Sequence, residues 1–361
     1  MGVLSSAQSV FAQAPKRPLA DADIIERANQ NTVTIVSGTP AGTYLTIAYD
    51  MAAVLDSGDD LRVLAIAGKG SLQNVRDILH LRGVDMGIVQ SDTLTLLKKT
   101  RELGVNIEQR LVYITKLYNE EMHIVAGPGI NSLKDLDGKK VNFSDAGSGT
   151  ELSTKIVFDI LGVNAEKVNM GQADALVKVK SGEIAATVFI AGKPATALAR
   201  LPKDPDLKIL PMPYTEALED ASYLPANLTS ADYPSLIPEG QSVDTIAVGA
   251  VLAVYNWPRN TDRYRRVDNF VNALFDNFAE FQKPPRHPKW KEVNLAANLK
   301  GWNRFPAAQD WLEKAASQQA AARIDPSLAR QQAARAAPNN AAEQERLFRQ
   351  FLEWSKSRSK Q

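Results

Sequence analysis

Apolar residues fall into short runs separated by glycine- and serine-rich turns, and one such pattern occurs twice. Short apolar runs that alternate with helical stretches predict parallel strands with crossover helices. The first copy opens with a run, a small-residue turn and a helical stretch, and two further runs complete it. In that order the segments are 33–36, 37–43, 44–55, 61–66 and 84–89.

The second copy has the same order of parts. Its runs and turns are 141–143, 144–150, 167–170 and 181–189, with a helix beginning near residue 151. Each copy places helix N-termini at strand ends, where backbone amides and helix dipoles favour an anion. The repeat therefore predicts an α/β protein of two lobes with a cleft that binds a small anionic molecule.

The remaining segments complete this plan. A long apolar run at 245–255 predicts a strand that returns the chain to the first lobe, and 261–281 has helical spacing with core residues at 267, 270, 271, 274 and 278. Proline-rich 202–240 predicts loops and short helices. Residues 345–358 predict an amphipathic helix that either docks on the first lobe or binds a partner. The expected division is lead-in 1–30, lobe 1 at 31–120 and 245–310, lobe 2 at 121–244, and a helical tail at 311–361.

Composition narrows the function classes. The chain has 361 residues, a net charge of +1 and no cysteine, so we expect neither nucleic-acid binding nor thiolate chemistry. No apolar run approaches the roughly 18 residues of a membrane span. Residues 4–14 end in Ala12-Gln13-Ala14, which fits the small-x-small rule of a signal peptide and predicts export; a plain disordered leader is the alternative.

Catalytic and cofactor motifs fail in detail. The glycine-lysine turn at 68–71 lacks the phosphate-loop spacing, since Leu64 stands where a glycine is needed and Gly70 where a serine or threonine is needed. The three histidines show no zinc-binding spacing, and no serine-hydrolase elbow occurs. We therefore expect no cofactor, no metal site and no enzymatic activity.

The turn sequences resemble those of the TAXI family, the periplasmic solute receptors of one class of tripartite ATP-independent (TRAP) transporters. The resembling segments are 37–44, 70–74, 83–92, 132–141, 147–151 and 189–194, within a match over roughly 31–290. The resemblance implies a type II periplasmic binding protein fold. It also implies a monomeric periplasmic receptor that hands a small carboxylate, often an amino acid or dicarboxylate, to a TRAP membrane permease.

The resemblance also implies a set of ligand-binding residues. They are Gly42, Thr43, Tyr44, Ser71, Leu72, Gln90, Ser91, Asp92, Tyr118, Ser148, Gly149, Thr150, Ala191, Gly192 and Lys193. Asp92 either accepts from a ligand ammonium or caps the following helix. Lys193 either pairs with a second ligand carboxylate or points to solvent. Tyr118 either walls the cleft or packs as an ordinary aromatic.

The chain departs from the TAXI pattern near its end. Segments 286–290 and 302–306 replace a short motif that family members often carry, and an Ala/Gln-rich tail follows. Two other classes stay open on the same fold. One is a sensor subunit that signals to a membrane kinase, and the other is an enzyme.

Overall fold

The computed structural model describes residues 19–322, 326–338 and 340–358; the predicted signal remnant at 4–14 lies outside them. The strands are β1 (Thr32–Val36), β2 (Arg62–Ile66), β3 (Met86–Gln90), β4 (Leu111–Ala126), β5 (Lys140–Asn142), β6 (Glu166–Val168), β7 (Ala186–Ala191), β8 (Lys208–Ile209), β9 (Leu224–Thr229) and β10 (Ser242–Tyr255).

Helices alternate with these strands. They are α1 (Leu19–Gln30), α2 (Tyr44–Leu55), α3 (Ser71–His80), α4 (Ser91–Thr100), α5 (Ile107–Arg110), α6 (Gly149–Leu161), α7 (Gln172–Lys180), α8 (Thr196–Ala199), α9 (Glu216–Asp220), α10 (Asp262–Asp276), α11 (Phe278–Phe281), α12 (Pro306–Ala322), α13 (Pro326–Ala336) and α14 (Ala341–Arg358). Two 3₁₀ turns lie at Leu133–Leu136 and Pro288–Glu292. None of the helices in the described segments is both long and apolar enough to cross a bilayer.

The strands form one curled sheet with two similar halves. Neighbouring strands run β2-β1-β3-β10-β4-β7-β5-β6, with β8 beside β4 and β9 beside β10. β1 pairs in parallel with β2 and β3, and β5 pairs in parallel with β6 and β7. The two predicted α/β units are therefore present, one at each end of the sheet.

Two long antiparallel strands, β4 and β10, run through both halves. The first part of β4 pairs with β10, and its last six residues pair with β7. The last part of β10 pairs with β3, and its first part pairs with β9. We call the half built on β1–β3 lobe 1, with helices α2–α5, α10 and α11. We call the half built on β5–β9 lobe 2, with helices α6–α9.

Each lobe buries apolar side chains on both faces of its half-sheet. On one face of lobe 1, Ile47 and Met51 of α2 share a core with Val267 and Phe270 of α10. The predicted core positions of α10 are all buried, because residues three and four apart lie on one helical face. The predicted helix over 261–281 is nevertheless interrupted at Asn277, between α10 and α11.

Two element predictions are wrong. The sequence predicts a strand over 111–117, with polar residues at 118–120 after it and a fresh apolar run from 122; the structure has one continuous strand, β4. The polar residues there do not end it, because residues 119–121 stay paired with β10; a bulge lies between Asn119 and Lys116. The predicted loops at 202–240 contain β8 and β9, which extend the sheet of lobe 2.

The C-terminal tail is helical, as predicted. α12 packs on α10 of lobe 1, and α14 packs on both α12 and α13. Ala329, Ala333 and Phe348 form a small buried cluster between α13 and α14, with the Arg330 guanidinium 4.9 Å from the Phe348 ring centre. The predicted helix over 345–358 thus lies within α14 and packs on neighbouring tail helices; its side chains at 351, 352 and 354 lie outside the described ones.

Candidate functional site

Three helices begin around one cavity between the lobes. α2 and α3 follow strands of lobe 1, and α6 follows the first strand of the α/β unit of lobe 2. The cavity measures about 50 Å³. Its lining residues are Gly38, Thr39, Gly42, Thr43, Tyr44, Lys69, Gly70, Ser71, Gln90, Glu120, Ser144, Ser148, Gly149, Thr150, Phe189 and Ile190. Helix N-termini present unpaired amides, so both lobes offer donors to this space.

In lobe 1 the turns are fixed by side chains behind them. The Asn74 amide donates to the carbonyl oxygens of Ser37 and Ile88, at 2.8 and 2.7 Å, and so ties the ends of β1 and β3 together. The Ser71 hydroxyl accepts from the Gln90 backbone N–H at 3.0 Å and lies 3.1 Å from Gln90 Oε1. Ser71 is therefore a positioning residue for Gln90, while the start of α3 stays open to the cavity.

In lobe 2 the start of α6 is capped from within. Ser148 Oγ accepts from the Glu151 N–H at 3.1 Å, and the Glu151 carboxylate accepts from the Gly147 N–H at 2.7 Å. Thr150 Oγ1 accepts from the Ile190 N–H at 3.3 Å. The caps leave the Ser148 hydroxyl proton available as a donor, since a serine hydroxyl both donates and accepts.

The lobes touch directly beside the cavity. Thr43 Oγ1 donates to the Gly192 carbonyl at 2.9 Å. Ser153 of α6 donates to Asp92 and lies 3.3 Å from Gln90 Oε1. The Tyr223 hydroxyl donates to Asp92 Oδ2 at 2.8 Å. These bonds join lobe 1 to lobe 2, so the structure is that of a closed cleft.

Close approach across the cleft requires a glycine at the start of α6. A Cβ atom at Gly149 would overlap Gln90 Oε1 and lie 2.6 Å from Ser71 Oγ, both in lobe 1. Real Cβ atoms do not come so close, so a side chain at 149 would require the Gln90 and Ser71 side chains to move out of their present contacts. The close approach of Gln90 and Ser71 is therefore a specific reason for a glycine at the third position of the turn 147–149.

A carboxyl group forms part of the cavity wall. Glu120 on β4 is 2% exposed and accepts from the Tyr44 hydroxyl at 2.6 Å. Burial raises the pKa of Glu120 to about 8, against hydrogen bonds from Tyr44 and Gln90 that lower it. Glu120 is therefore mostly neutral at pH 7. Glu120 is absent from the predicted ligand-binding residues. The feature of the sequence that could have indicated it is the polar stretch 118–121, which interrupts a long apolar strand.

A second polar contact joins the lobes at one side of the cleft. Lys289, in the 3₁₀ turn Pro288–Glu292, is 1% exposed and pairs with Glu121 at 2.6 Å and with Glu292 at 2.8 Å. The other oxygen of Glu121 accepts from the Lys193 N–H of lobe 2 at 3.0 Å. The segment that departs from the TAXI pattern is thus the source of an interlobe contact.

About half of the predicted ligand-binding residues line the cavity. Those that do are Gly42, Thr43, Tyr44, Ser71, Gln90, Ser148, Gly149 and Thr150. Those that do not are Leu72, Ser91, Asp92, Tyr118, Ala191, Gly192 and Lys193. Most of the latter are one or two residues from a lining position, and their side chains point elsewhere because neighbours on a strand or helix face different directions.

The sequence left two possible roles open for each of Asp92, Lys193 and Tyr118, and the structure shows the contacts of each side chain. Burial raises the pKa of Asp92, and its oxygens already accept from Ser153, Tyr223 and the Thr93 N–H. Lys193 points neither to the cavity nor freely to solvent, because its ammonium lies 3.1 Å from Asp232. Tyr118 is 1% exposed and packs as a core aromatic.

The described residues contain no cluster of three or more histidine or acidic side chains arranged to hold a metal. His123 is fully buried away from the cavity, between the Phe189 carbonyl and the Tyr233 hydroxyl. His287 accepts from the Lys289 N–H at 3.2 Å and so orders the turn that carries Lys289. Both histidines have structural partners.

Two α/β lobes joined by crossing antiparallel strands, with a cleft at the strand ends, define the class: a type II periplasmic binding protein fold. Residues 35–306 match the NMT1-like family, and the chain belongs to that family. The fold is similar to that of the periplasmic binding protein BugD, with a TM-score of 0.50 and 15% identity over 78% of this chain and 93% of that chain.

Two other solved structures match this chain with lower TM-scores. The substrate binding protein of an amino acid ABC transporter matches with a TM-score of 0.43 and 12% identity, over 72% of this chain and 96% of that chain. AbpA from Streptococcus pneumoniae, an amino acid ABC transporter substrate-binding protein bound to L-arginine, matches with a TM-score of 0.39 and 15% identity, over 73% of this chain and 96% of that chain.

Proposed function

We propose that this protein is an exported receptor that captures a small carboxylate between its lobes and presents it to a membrane transporter. The observation that carries the proposal is the convergence of the N-termini of α2, α3 and α6 on one cavity. Amides and dipoles at these ends stabilise a negative charge, and Lys69 adds a cation at the rim.

The size of the cavity supports a small ligand. A buried water needs roughly 10–15 Å³ of such space, so 50 Å³ corresponds to about three to five water-sized positions. A small organic acid fits this scale, and a dinucleotide does not. The proposed ligand is therefore a small organic acid rather than a nucleotide.

The proposed mechanism is closure of the cleft. Segments 31–120 and 245–310 move as one body and 121–244 as the other, with β4 and β10 as the connection. A ligand that contacts both lobes stabilises the closed state because it binds that state better than the open one. The Thr43–Gly192 and Ser153–Gln90 contacts would form only on closure, so they add to the same preference.

The proposed partner is the permease of a TRAP transporter, on the strength of the TAXI-like turns at 37–44, 70–74 and 83–92. Delivery is tested in proteoliposomes that hold a TRAP permease from the same organism. Uptake of the bound acid that requires both this protein and an ion gradient would support the assignment. Uptake that requires ATP instead would contradict the TRAP partnership and leave the receptor function intact.

Ligand capture is tested by thermal unfolding with a panel of organic acids and amino acids. A ligand at 100 times its dissociation constant adds about 2.7 kcal/mol to the free energy of unfolding. We expect a shift with one chemical class of small carboxylate and none with uncharged sugars of the same size. A panel in which sugars stabilise the protein and carboxylates do not would refute the proposal.

A further inference from the structure

Among the buried acids in the described part of the chain, Glu120 stands apart. Asp85 pairs with Arg263 at 2.9 Å, and Glu121 pairs with Lys289. Asp50 has Arg286 at 3.5 Å, and Asp92 has three donors from the protein. The Glu120 carboxyl has neutral hydrogen-bond partners and no cation partner within 4 Å, and it is the acid that faces the cavity.

A buried carboxyl without a cation is either held neutral or paired by something that enters the site. Different parts of the cavity wall favour opposite charges. The N-termini of α3 and α6 favour a negative charge, whereas Glu120 offers an oxygen acceptor and, when ionised, a negative charge of its own. A ligand with a carboxylate and an ammonium group satisfies both parts at once.

We infer that the ligand is a small zwitterion, an amino-substituted carboxylic acid, and that Glu120 is the residue that selects its ammonium group. The inference rests on the proposed receptor function and names its ligand class. It moves the ammonium acceptor from Asp92, whose oxygens are occupied, to Glu120. Tyr44, which donates to Glu120, is its positioning residue.

Proton release gives this inference a specific signature. The titratable groups around Glu120 are Tyr44 on α2, Tyr118 and Glu121 on β4, and Asp92 on α4, with Lys69 on the cavity wall. Burial raises the pKa of Glu120 to about 8 in the closed site, so Glu120 carries a proton at pH 6.5 when the cleft closes around an acid that lacks an ammonium group. An ammonium favours the ionised form, so binding of the amino acid should release close to one proton more than binding of its deaminated partner. The preference for the amino acid should then increase by up to tenfold for each unit that the pH rises toward 8.

The experiment uses isothermal titration calorimetry with matched probes at pH 6.5, in phosphate and in imidazole buffer. The probes are L-alanine with propionate, L-aspartate with succinate, and L-glutamate with glutarate. We expect one amino acid to bind more tightly than its deaminated partner. The preference should reach about 10-fold to 100-fold in the same titration at pH 8.5, where Glu120 is mostly ionised, because this is the range of one charged hydrogen bond; at pH 6.5 it should be smaller. At pH 6.5 the amino acid should release close to one proton more than its partner.

Glu120→Gln keeps the shape and removes the charge. It should abolish both the preference for the amino acid and the difference in proton release, while Glu183→Gln, at an exposed acid of lobe 2, should change neither. Should Glu120→Gln fail to fold, the affinity ratio of the paired probes at pH 8.5 and their difference in proton release decide on the wild-type protein. A deaminated acid that binds as tightly as its amino acid at pH 8.5 would overturn the zwitterion and leave the carboxylate receptor standing. Binding of neither member of any pair, with a sugar bound instead, would overturn both.

Discussion

Replacing Gly149 with alanine should prevent full closure while leaving lobe 2 folded. The added methyl would overlap Gln90 Oε1 and press on Ser71 Oγ, and Gln90 cannot move freely because Ser71 and Ser153 both contact its oxygen. Overpacking of this kind costs about 1–3 kcal/mol, and here it destabilises only the closed state, because the overlap exists only when the cleft is shut. Within α6 itself, alanine is better than glycine by up to about 1 kcal/mol.

The overlap in the closed cleft and the helix preference for alanine should change ligand affinity and the free energy of unfolding in opposite directions. The free energy of unfolding of the empty protein should stay the same or rise, whereas the affinity for the ligand found in the panel should fall about 5-fold to 150-fold, as the coupling energy of about 1–3 kcal/mol requires. Calorimetry gives the affinity, and small-angle X-ray scattering gives the compaction on binding, which the variant should lack.

Gly171→Ala is the matched control for this variant. Gly171 is the N-cap of α7 in lobe 2, one position earlier relative to its helix than Gly149, and a Cβ there would meet nothing within 4 Å. It should bind and compact as the wild-type protein does. Wild-type affinity and wild-type compaction in Gly149→Ala would refute the assigned closed contact between α6 and lobe 1.

Three further predictions concern single contacts. Thr43→Ala removes a neutral hydrogen bond between the lobes and should weaken ligand binding by about 0.5–1.5 kcal/mol in calorimetry. Ser148→Ala should weaken binding too, and because it removes a helix cap it should also lower the free energy of unfolding by about 0.5–2 kcal/mol. Unchanged affinity in both variants would count against the site. Lys289→Met leaves Glu121 buried without its cation and should cost about 3–5 kcal/mol in denaturant unfolding, with Glu121→Gln in the same chain restoring much of it; additive losses would exclude the pair. Burial lowers the pKa of His123 to about 4, below its ordinary 6.5, so wild-type stability should fall as the pH drops from about 6.5 to 4, by up to about 1.4 kcal/mol per pH unit, and fall less steeply in His123→Gln; parallel stability curves for the two proteins would contradict the assigned titration.

Elements with a strong local pattern were predictable from the sequence. The helix at Tyr44–Leu55 has the predicted bounds, because apolar residues at helical spacing follow a small-residue turn. β4 was not predicted as one strand, because its middle residues are polar and are accommodated only by partners from distant parts of the chain. Tyr44 is one such partner, 76 residues away from Glu120.

The candidate site was predictable as a set of backbone turns and not as a set of side chains. Turns such as 70–71 and 148–150 recur in the sequence, and the residues of these two turns line the cavity. Asp92 is held away from the cavity by contacts with two elements of lobe 2. Ser153 of α6 and Tyr223, which follows α9, both donate to Asp92, and no local sequence pattern predicts these contacts.

The claim that a small acid binds between the two lobes is tested most directly by a crystal structure of the protein with the acid that stabilises it most. We predict one ligand molecule enclosed between the lobes, with its carboxylate within hydrogen-bond distance of amides at the starts of both α3 and α6. A ligand bound to one lobe only, or on an outer face away from these helix starts, would contradict the account.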